Sequence, residues 1–260
     1  MKILKTLALT LLIGFSQTIS AQTADEIIDN YWETVGGKEN WAKVEGTLTK
    51  AKTMGQGMEI PLEIISMKDG KTMVTFTFQG KEVKSQVFDG EVLWGHNMMT
   101  MEAEKQNEEQ TKIMKDETLD FPNAFIDYKS KGYKVELIGK ETVEGTSCFK
   151  IKITKKPVII DGKEVENASF YYFDDENFVP IVVEKEILTG QMKGQSFQTV
   201  LSDYQEVEGL YFPYSSTQKL KGTPQGQTIT IESIELNPKV EASLFAFPKK
   251  EAASTGTAKP

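Results

Sequence analysis

The chain contains no arginine, so each of its 30 basic residues is a lysine. Arginine is the side chain that binds phosphate and carboxylate groups in a bidentate manner, and its absence argues against a phosphate-handling site. The formal net charge of −8 also disfavours a nucleic-acid partner, because nucleic-acid binding depends on neutralising phosphates. The sequence has no glycine-rich phosphate loop either, so a nucleotide cofactor is not expected.

Cysteine and histidine each occur once, as Cys148 and His96. A single cysteine excludes an intramolecular disulfide, and one residue of each type excludes the usual structural zinc sites. A serine triad would have to use His96, and the chain has no Gly-x-Ser-x-Gly motif. We interpret Cys148 as a buried small apolar residue and His96 as a loop residue. These absences favour a protein that is not an enzyme and uses no cofactor.

One acidic cluster leaves alternatives open. Asp174, Asp175 and Glu176 are consecutive and separate two apolar stretches, which predicts a polar hairpin turn. The same oxygen-rich cluster is compatible with calcium. It is also compatible with a carboxylate-based hydrolase, which would need an acidic pair with raised pKa values in a cleft.

The first 21 residues have the pattern of a secretory signal peptide. Lys2 and Lys5 precede an apolar stretch from Leu7 to Phe15, and the segment ends on Ala21. The stretch is shorter than the roughly 20 apolar residues that a membrane-spanning helix needs. We expect cleavage after Ala21 and an exported protein without a lipid anchor, because no cysteine lies near the cleavage point.

One amphipathic helix is predicted over residues 24–35. Thr23 and Glu26 have the spacing of a capping box, and Gly36-Gly37 predicts the helix end. The apolar residues between them recur at steps of three and four, as on one helix face: Ile27, Ile28, Tyr31, Trp32 and Val35. A second short helical turn is predicted over residues 38–44.

From Gly46 onward the apolar period changes to 2, which predicts β-strands. Val74, Phe76 and Phe78 are expected on one face of a strand, as are Phe149 and Ile151 on another. Turn signals separate the strands and predict the antiparallel hairpins of a sandwich or barrel: Asp69-Gly70, Gln79-Gly80, Asp89-Gly90, Glu144-Gly145, Asp161-Gly162, Thr189-Gly190 and Glu208-Gly209.

Residues 102–131 interrupt this rhythm with a charged run and then an apolar cluster, in which Pro122 is predicted to begin a short helix. The insertion is interpreted either as a lid over a cavity or as a surface excursion that closes the core. Residues 249–260 lack large apolar side chains and are predicted to be a disordered tail. The remaining residues, 22–248, are expected to form a single domain.

Several motifs occur in a characteristic order. After the helix closed by Gly36-Gly37 they are Phe170–Tyr171–Tyr172–Phe173–Asp174, Pro180-Ile181 with Val183–Glu184, Asp203-Tyr204 with Leu210–Tyr211–Phe212–Pro213, Asn237-Pro238, and Leu244–Phe245–Ala246–Phe247–Pro248. In this order the chain resembles the outer-membrane lipoprotein-sorting carriers of Gram-negative bacteria, the LolA/LolB-like family. The similarity extends over residues 22–248.

The resemblance implies a mainly β fold with a few helices (α+β). The expected form is a strongly curved, unclosed antiparallel β-barrel, with an N-terminal helix and a helical lid over an apolar cavity. It implies a monomeric periplasmic carrier of lipid or lipoprotein acyl chains, with inner- and outer-membrane envelope proteins as further partners. The expected cavity residues are Val74, Phe76, Phe78, Phe149, Ile151 and Tyr172, and the expected lid residues are Phe121, Phe125, Ile126, Ile28 and Trp32.

One departure from the family keeps other functions open. Carriers that deliver lipoproteins use a strand arginine to hold the lid closed, and this chain has no arginine. Carriage of another lipid is therefore as consistent with the resemblance as lipoprotein delivery. An envelope module that binds proteins through exposed strand edges or its tail is a further alternative.

Overall fold

A computed structural model describes residues 22–55 and 57–248. The predicted signal peptide, residues 1–21, and the predicted tail, residues 249–260, lie outside these ranges. The described residues form a mainly β structure with a few helices, as the sequence predicts. Within these ranges, every helix is too short or too polar to cross a membrane.

The described ranges contain three α-helices and one 3-10 helix: α1 (Ala24–Thr34), α2 (Lys38–Trp41), α3 (Glu108–Thr118) and the 3-10 helix Ala242–Phe245. The predicted capping box starts α1, because the Glu26 carboxylate accepts from the Thr23 N–H at 2.7 Å and the Thr23 hydroxyl accepts from the Glu26 N–H at 3.2 Å. The predicted short helical turn is confirmed as α2.

Fifteen strands follow the first two helices. They are β1 (Gly46–Gly55), β2 (Met58–Met67), β3 (Thr72–Phe78), β4 (Lys81–Phe88), β5 (Leu93–His96), β6 (Ala103–Lys105), β7 (Lys134–Val143), β8 (Thr146–Thr154), β9 (Val158–Ile160), β10 (Lys163–Val165), β11 (Ala168–Asp174), β12 (Pro180–Glu186), β13 (Ser196–Val207), β14 (Leu210–Leu220) and β15 (Gln227–Leu236).

Thirteen of these strands form one antiparallel sheet in the order β6-β5-β4-β3-β2-β1-β15-β14-β13-β12-β11-β8-β7. The two end strands, β6 and β7, do not pair with each other, so the sheet is unclosed, in agreement with the predicted fold class. Strands β9 and β10 form a separate two-stranded hairpin. Predicted turn pairs connect several strands by two-residue loops. In the β13–β14 turn, for example, Glu208 and Gly209 both have positive φ angles, as a type I′ hairpin requires.

The main core lies between α1 and one face of the curved sheet. Ile27, Ile28, Trp32 and Val35 are buried on the predicted stripe of α1. The same cluster contains residues from strands that are far apart in the sheet: Phe149, Ile151 and Ile153 of β8, Phe173 of β11 and Leu210 of β14, with Phe212 and Leu236 packed against it. Because one short helix shares a core with β8 and β15, this face of the sheet must be concave.

The convex face carries two smaller clusters. In one, the chain after β15 returns across the sheet, where Phe245 packs with Ile65 and Trp94 and its carbonyl accepts from the Trp94 indole N–H at 2.9 Å. In the other, Cys148 is fully buried beside Tyr172, as predicted for this cysteine. Burial raises the pKa of the Cys148 thiol to about 11.

His96 differs from its prediction, because it is the last residue of β5 and its Nδ1 accepts from the Lys84 N–H at 3.1 Å.

The predicted short helix at Pro122 is wrong. The helix of this insertion, α3, occupies the charged run, and residues 119–132 form turns and bends. The Asn123 side chain accepts from the Phe125 N–H at 2.9 Å, and Asp127 has a φ of 49°. These local bonds and the left-handed residue compete with helix formation. We call residues 119–128 the lid segment.

The end of α1 is fixed against the β13–β14 turn. Gly36 has a φ of +105°, and a Cβ atom added there would lie 2.1 Å from the Gly209 carbonyl oxygen. The Val35 carbonyl next to it accepts from the Tyr211 N–H at 3.1 Å and from the Trp41 indole N–H at 2.8 Å. The position of α1 over the concave face therefore depends on a glycine at residue 36.

Replacing Gly36 by alanine should destabilise the protein more than replacing Gly90, which has a similar φ of +103° and no atom within 4 Å of an added Cβ. Gly90→Ala introduces backbone strain alone, about 1–2 kcal/mol. Gly36→Ala adds overlap with the Gly209 carbonyl and should cost at least about 2 kcal/mol more. Urea unfolding of the two variants measures the difference, and equal free energies of unfolding would contradict this role for Gly36.

Candidate ligand cavity

A cavity of about 370 Å³ lies on the concave face between α1, the lid segment and the sheet. Aromatic, aliphatic and proline side chains dominate its walls, which are formed by Tyr31, Trp41, Thr47, Ser66, Phe121, Pro122, Asn123, Phe125, Tyr171, Pro180, Val183, Leu201, Tyr204, Tyr211, Phe212 and Pro213. Although 26% of all residues in the chain are charged, none of these lining residues is. The cavity therefore suits an uncharged or apolar group.

Aromatic packing holds the lid segment against one wall of the cavity. Phe125 is 1% exposed, and its ring centroid lies 4.7 Å from that of Tyr171 on β11 and 5.6 Å from that of Phe173. Both contacts have the edge-to-face geometry that aromatic pairs favour. Tyr31 of α1 also packs against Phe125, with its ring centroid 6.4 Å from that of Phe125. Packing of α1 and the lid segment on β11 thus shapes the cavity.

The polar groups of the cavity lining include the phenols of Tyr31, Tyr171 and Tyr204 and the amide of Asn123, besides the hydroxyls of Thr47, Ser66 and Tyr211. Asn123 Nδ2 donates to the Tyr31 hydroxyl at 2.8 Å, and the Tyr204 hydroxyl donates to the Pro180 carbonyl at 2.6 Å. The Tyr171 hydroxyl has no hydrogen-bond partner among the described residues. Burial raises the pKa of Tyr31, of Tyr171 and of Tyr204 above the ordinary value, so all three phenols are neutral at physiological pH.

A second cavity, of about 280 Å³, lies beside the first, below α3. The two cavities share Ser66, Phe121 and Pro122, so the start of the lid segment separates them. The second cavity is more polar, because Lys71, Glu117 and Asp120 contribute to its lining. The concave face therefore offers an apolar compartment and an adjoining polar one.

The predicted lid and cavity residues divide into those that line the first cavity and those that fill the core. Phe121 and Phe125 line the cavity. The others from the lid, α1 and β8 are buried in the adjoining core: Ile28, Trp32, Ile126, Phe149 and Ile151. This second group is part of the protein core and does not line the cavity.

Val74, Phe76 and Phe78 lie on the concave face of β3, outside the first cavity. They are half-buried, whereas Met73, which points to the opposite face, belongs to a convex cluster. The β2 residues paired with two of them are also apolar and half-buried, since Ile64 lies opposite Val74 and Leu62 opposite Phe76. These four paired residues form a partly exposed apolar strip on β2 and β3.

The structure corrects the expectation that Tyr172 lines the cavity. Tyr172 lies on the convex face with Cys148 and Val182, and Tyr171 lines the cavity instead. On that face the buried Glu184 carboxylate accepts from Lys221 Nζ at 2.8 Å and from Gln198 Nε2 at 2.9 Å. Burial alone would raise the pKa of Glu184, but these hydrogen bonds outweigh it and leave the pKa below its ordinary value. The reason for the error is that Phe170–Phe173 is aromatic on both faces of its strand, so alternation cannot select one.

Sequence reasoning also missed Tyr31, Tyr204 and Asn123 as cavity residues. Tyr31 was predicted only as part of the apolar stripe of α1, and its hydroxyl could not be placed without the partner Asn123. Tyr204 lies on a strand whose central residues do not alternate, and Asp203 before it has a φ of 56°.

The acidic cluster after β11 forms a hairpin turn, as predicted. Asp174 Oδ1 accepts from the N–H groups of Glu176 at 2.8 Å and Asn177 at 2.9 Å. The Asp175 carboxylate accepts from Lys140 Nζ at 2.7 Å, and this hydrogen bond lowers the pKa of Asp175. The carboxylates of Asp174 and Asp175 thus stabilise this turn and its contact with β7.

No family model matches the chain, and no curated protein matches it by sequence. Solved structures, in contrast, match the chain by fold. A LolA superfamily protein from Nitrosomonas europaea matches with a TM-score of 0.53 at 12% identity, over 87% of this chain and 98% of that chain. A DUF1329 family protein from Desulfovibrio piger matches with a TM-score of 0.52 at 12% identity, over 87% of this chain and 98% of that one.

An outer-membrane lipoprotein-sorting domain from Vibrio parahaemolyticus matches with a TM-score of 0.51 at 9% identity, over 85% of this chain and 94% of that chain. At such identities the matches establish the fold alone. The predicted resemblance is confirmed at that level: the chain has the unclosed barrel fold of the LolA superfamily.

Proposed function

We propose that the protein is an exported periplasmic carrier, without enzymatic activity, that shelters an acyl chain of a lipid or lipoprotein in the apolar cavity. The observation that carries this proposal is the uncharged, largely apolar cavity beneath α1 and the lid segment, in a molecule whose other apolar clusters are packed. A protein core that is only structural would be expected to fill such a volume with its own side chains.

The hydrophobic effect supplies enough free energy for this function. Each methylene group removed from water contributes about 0.8 kcal/mol, so eight buried methylenes contribute about 6 kcal/mol before the costs of association are subtracted. Binding of this kind needs no charged recognition group, which agrees with the composition of the cavity lining. The apolar strip on β2 and β3 offers further apolar surface, outside the cavity, for additional methylene groups of the chain.

Loading and release require a lid that can open, and the lid segment has a polar anchor suited to that role. Asp120, 8% exposed, accepts from Lys155 Nζ and from the Tyr133 hydroxyl, the latter at 3.1 Å. Lys131 Nζ lies 3.4 Å from the same carboxylate. In a chain without arginine, we infer that these two lysines hold the start of the lid segment, a function that an arginine serves in the lipoprotein carriers.

Filling the cavity with a larger side chain should abolish binding. Leu201 lines the cavity, and the next residue, Ser202, is exposed. We expect Leu201→Trp to weaken uptake of a pyrene-labelled acyl probe at least about tenfold, because it occupies the ligand volume, whereas Ser202→Trp should bind as the wild type does. Fluorescence titration measures the affinities.

Two results would count against the carrier proposal. One is wild-type protein that takes up no acyl probe and that, when isolated from a periplasmic extract, carries no lipid detectable by native mass spectrometry. The other is a folded Leu201→Trp variant with wild-type affinity, which would place the binding site elsewhere.

Removing the charge of Asp120 should loosen the lid segment. Asp120→Asn leaves Lys155, whose side chain is 13% exposed, beside a neutral amide, and we expect a loss of about 1–3 kcal/mol in stability. The matched control is Asp127→Asn, in the same segment, where the side chain is 65% exposed and pairs with Lys38 at the surface. It should cost no more than about 0.5 kcal/mol.

Hydrogen exchange followed by mass spectrometry tests the local effect. Amides of residues 119–128 should exchange faster in Asp120→Asn than in Asp127→Asn, and uptake of the acyl probe should be accelerated. If both variants exchanged at the wild-type rate, Asp120 would not be the anchor of the lid segment.

A further inference from the structure

Two phenols on different elements, those of Tyr31 and Tyr171, line the cavity. Tyr31 projects from α1, and Tyr171 projects from β11. The ring centroid of Phe125 lies 6.4 Å from that of Tyr31 and 4.7 Å from that of Tyr171. Both side chains thus line the same cavity and contact the same residue of the lid segment. Since an apolar ligand needs no hydroxyl groups in its site, this pair requires a separate explanation.

Both phenols have a proton available for a ligand. The Asn123 amide has a fixed orientation, because its Oδ1 accepts from the Phe125 N–H at 2.9 Å. Its Nδ2 then donates to the Tyr31 hydroxyl at 2.8 Å, so the Tyr31 oxygen acts as acceptor in that bond and its own proton is not used there. The Tyr171 hydroxyl has no partner among the described residues. The pair therefore offers two O–H donors.

The charges near the cavity disfavour an anionic ligand at this position. None of the cavity-lining residues is a lysine. Lys131 and Lys155, at the start of the lid segment, already pair with Asp120. The negative charge of Asp120 adds to burial in raising the pKa of Tyr171. A carboxylate or phosphate placed there would be desolvated without a compensating cation.

We infer that the ligand is an uncharged acyl ester whose carbonyl oxygen accepts hydrogen bonds from Tyr31 and Tyr171, while its acyl chain occupies the apolar part of the cavity. An ester carbonyl provides two acceptor lone pairs and no charge, which matches two phenol donors in an uncharged site. This inference rests on the proposed carrier function and specifies the class of its ligand. Free fatty acids and ether-linked lipids are the classes that it excludes as preferred ligands.

The test compares three probes with the same pyrenedecyl chain: the monoacylglycerol ester, the glycerol ether and the free carboxylate at pH 8. We expect wild-type protein to bind the ester about tenfold more tightly than either of the others, as two added hydrogen bonds permit. Tyr171→Phe and Tyr31→Phe should each reduce the preference for ester over ether about threefold or more, with ether affinity unchanged. Unchanged ether affinity also reports that each variant is folded.

Tyr128→Phe is the matched control, because Tyr128 belongs to the same lid segment but its hydroxyl bonds to Asp25 and not to the cavity. It should keep the preference for the ester. Equal wild-type affinity for ester and ether, tighter binding of the carboxylate, or an equal loss of preference in Tyr128→Phe would each overturn the inference while leaving the carrier proposal intact. Failure of all three probes to bind would instead refute the carrier proposal.

Discussion

The concave face of the sheet is larger than one short helix can cover, and most other features follow from this mismatch. An 11-residue helix is about 16 Å long and about 10 Å across, whereas 13 adjacent strands extend over about 58 Å at the usual spacing. Curvature brings distant strands toward α1, but a second covering element is still needed. The lid segment supplies it, and the cavity is the volume that the two together leave unfilled.

The position of α1 also determines the chemistry of that volume. The contact of Gly36 with the Gly209 carbonyl and the bond from Tyr211 N–H to the Val35 carbonyl fix the helix end on β14. One turn earlier, Tyr31 is thereby held against the lid segment, where Asn123 reaches its hydroxyl. A backbone contact at the edge of the core thus places a phenol inside the cavity, so stability and the proposed ligand recognition depend on the same helix position.

The elements that were predicted correctly from sequence are those set by local chemistry. The capping box at Thr23, the glycine end of α1 and the two-residue hairpin turns involve residues close in sequence. The face of the sheet on which a given strand residue lies was harder to predict. Tyr171 and Tyr172 are both aromatic, and only pairing with β8 and β12 decides that Tyr171 faces the cavity. On β3, alternation was clear, but the chain after β15 covers the Met73 face, which no local pattern indicates.

Two parts of the lid segment are held by different forces, and this difference suits the proposed reversible opening. Phe125 is buried by aromatic contacts, and breaking them would expose its ring to water and lose the full hydrophobic contribution of its burial. Near Phe121 the segment is held instead by the ion pairs of Asp120, whose attraction is largely offset by the cost of desolvating the charges. Water readily replaces such a contact. Opening should therefore begin at Phe121, between the two cavities, while Phe125 keeps the segment attached to the sheet.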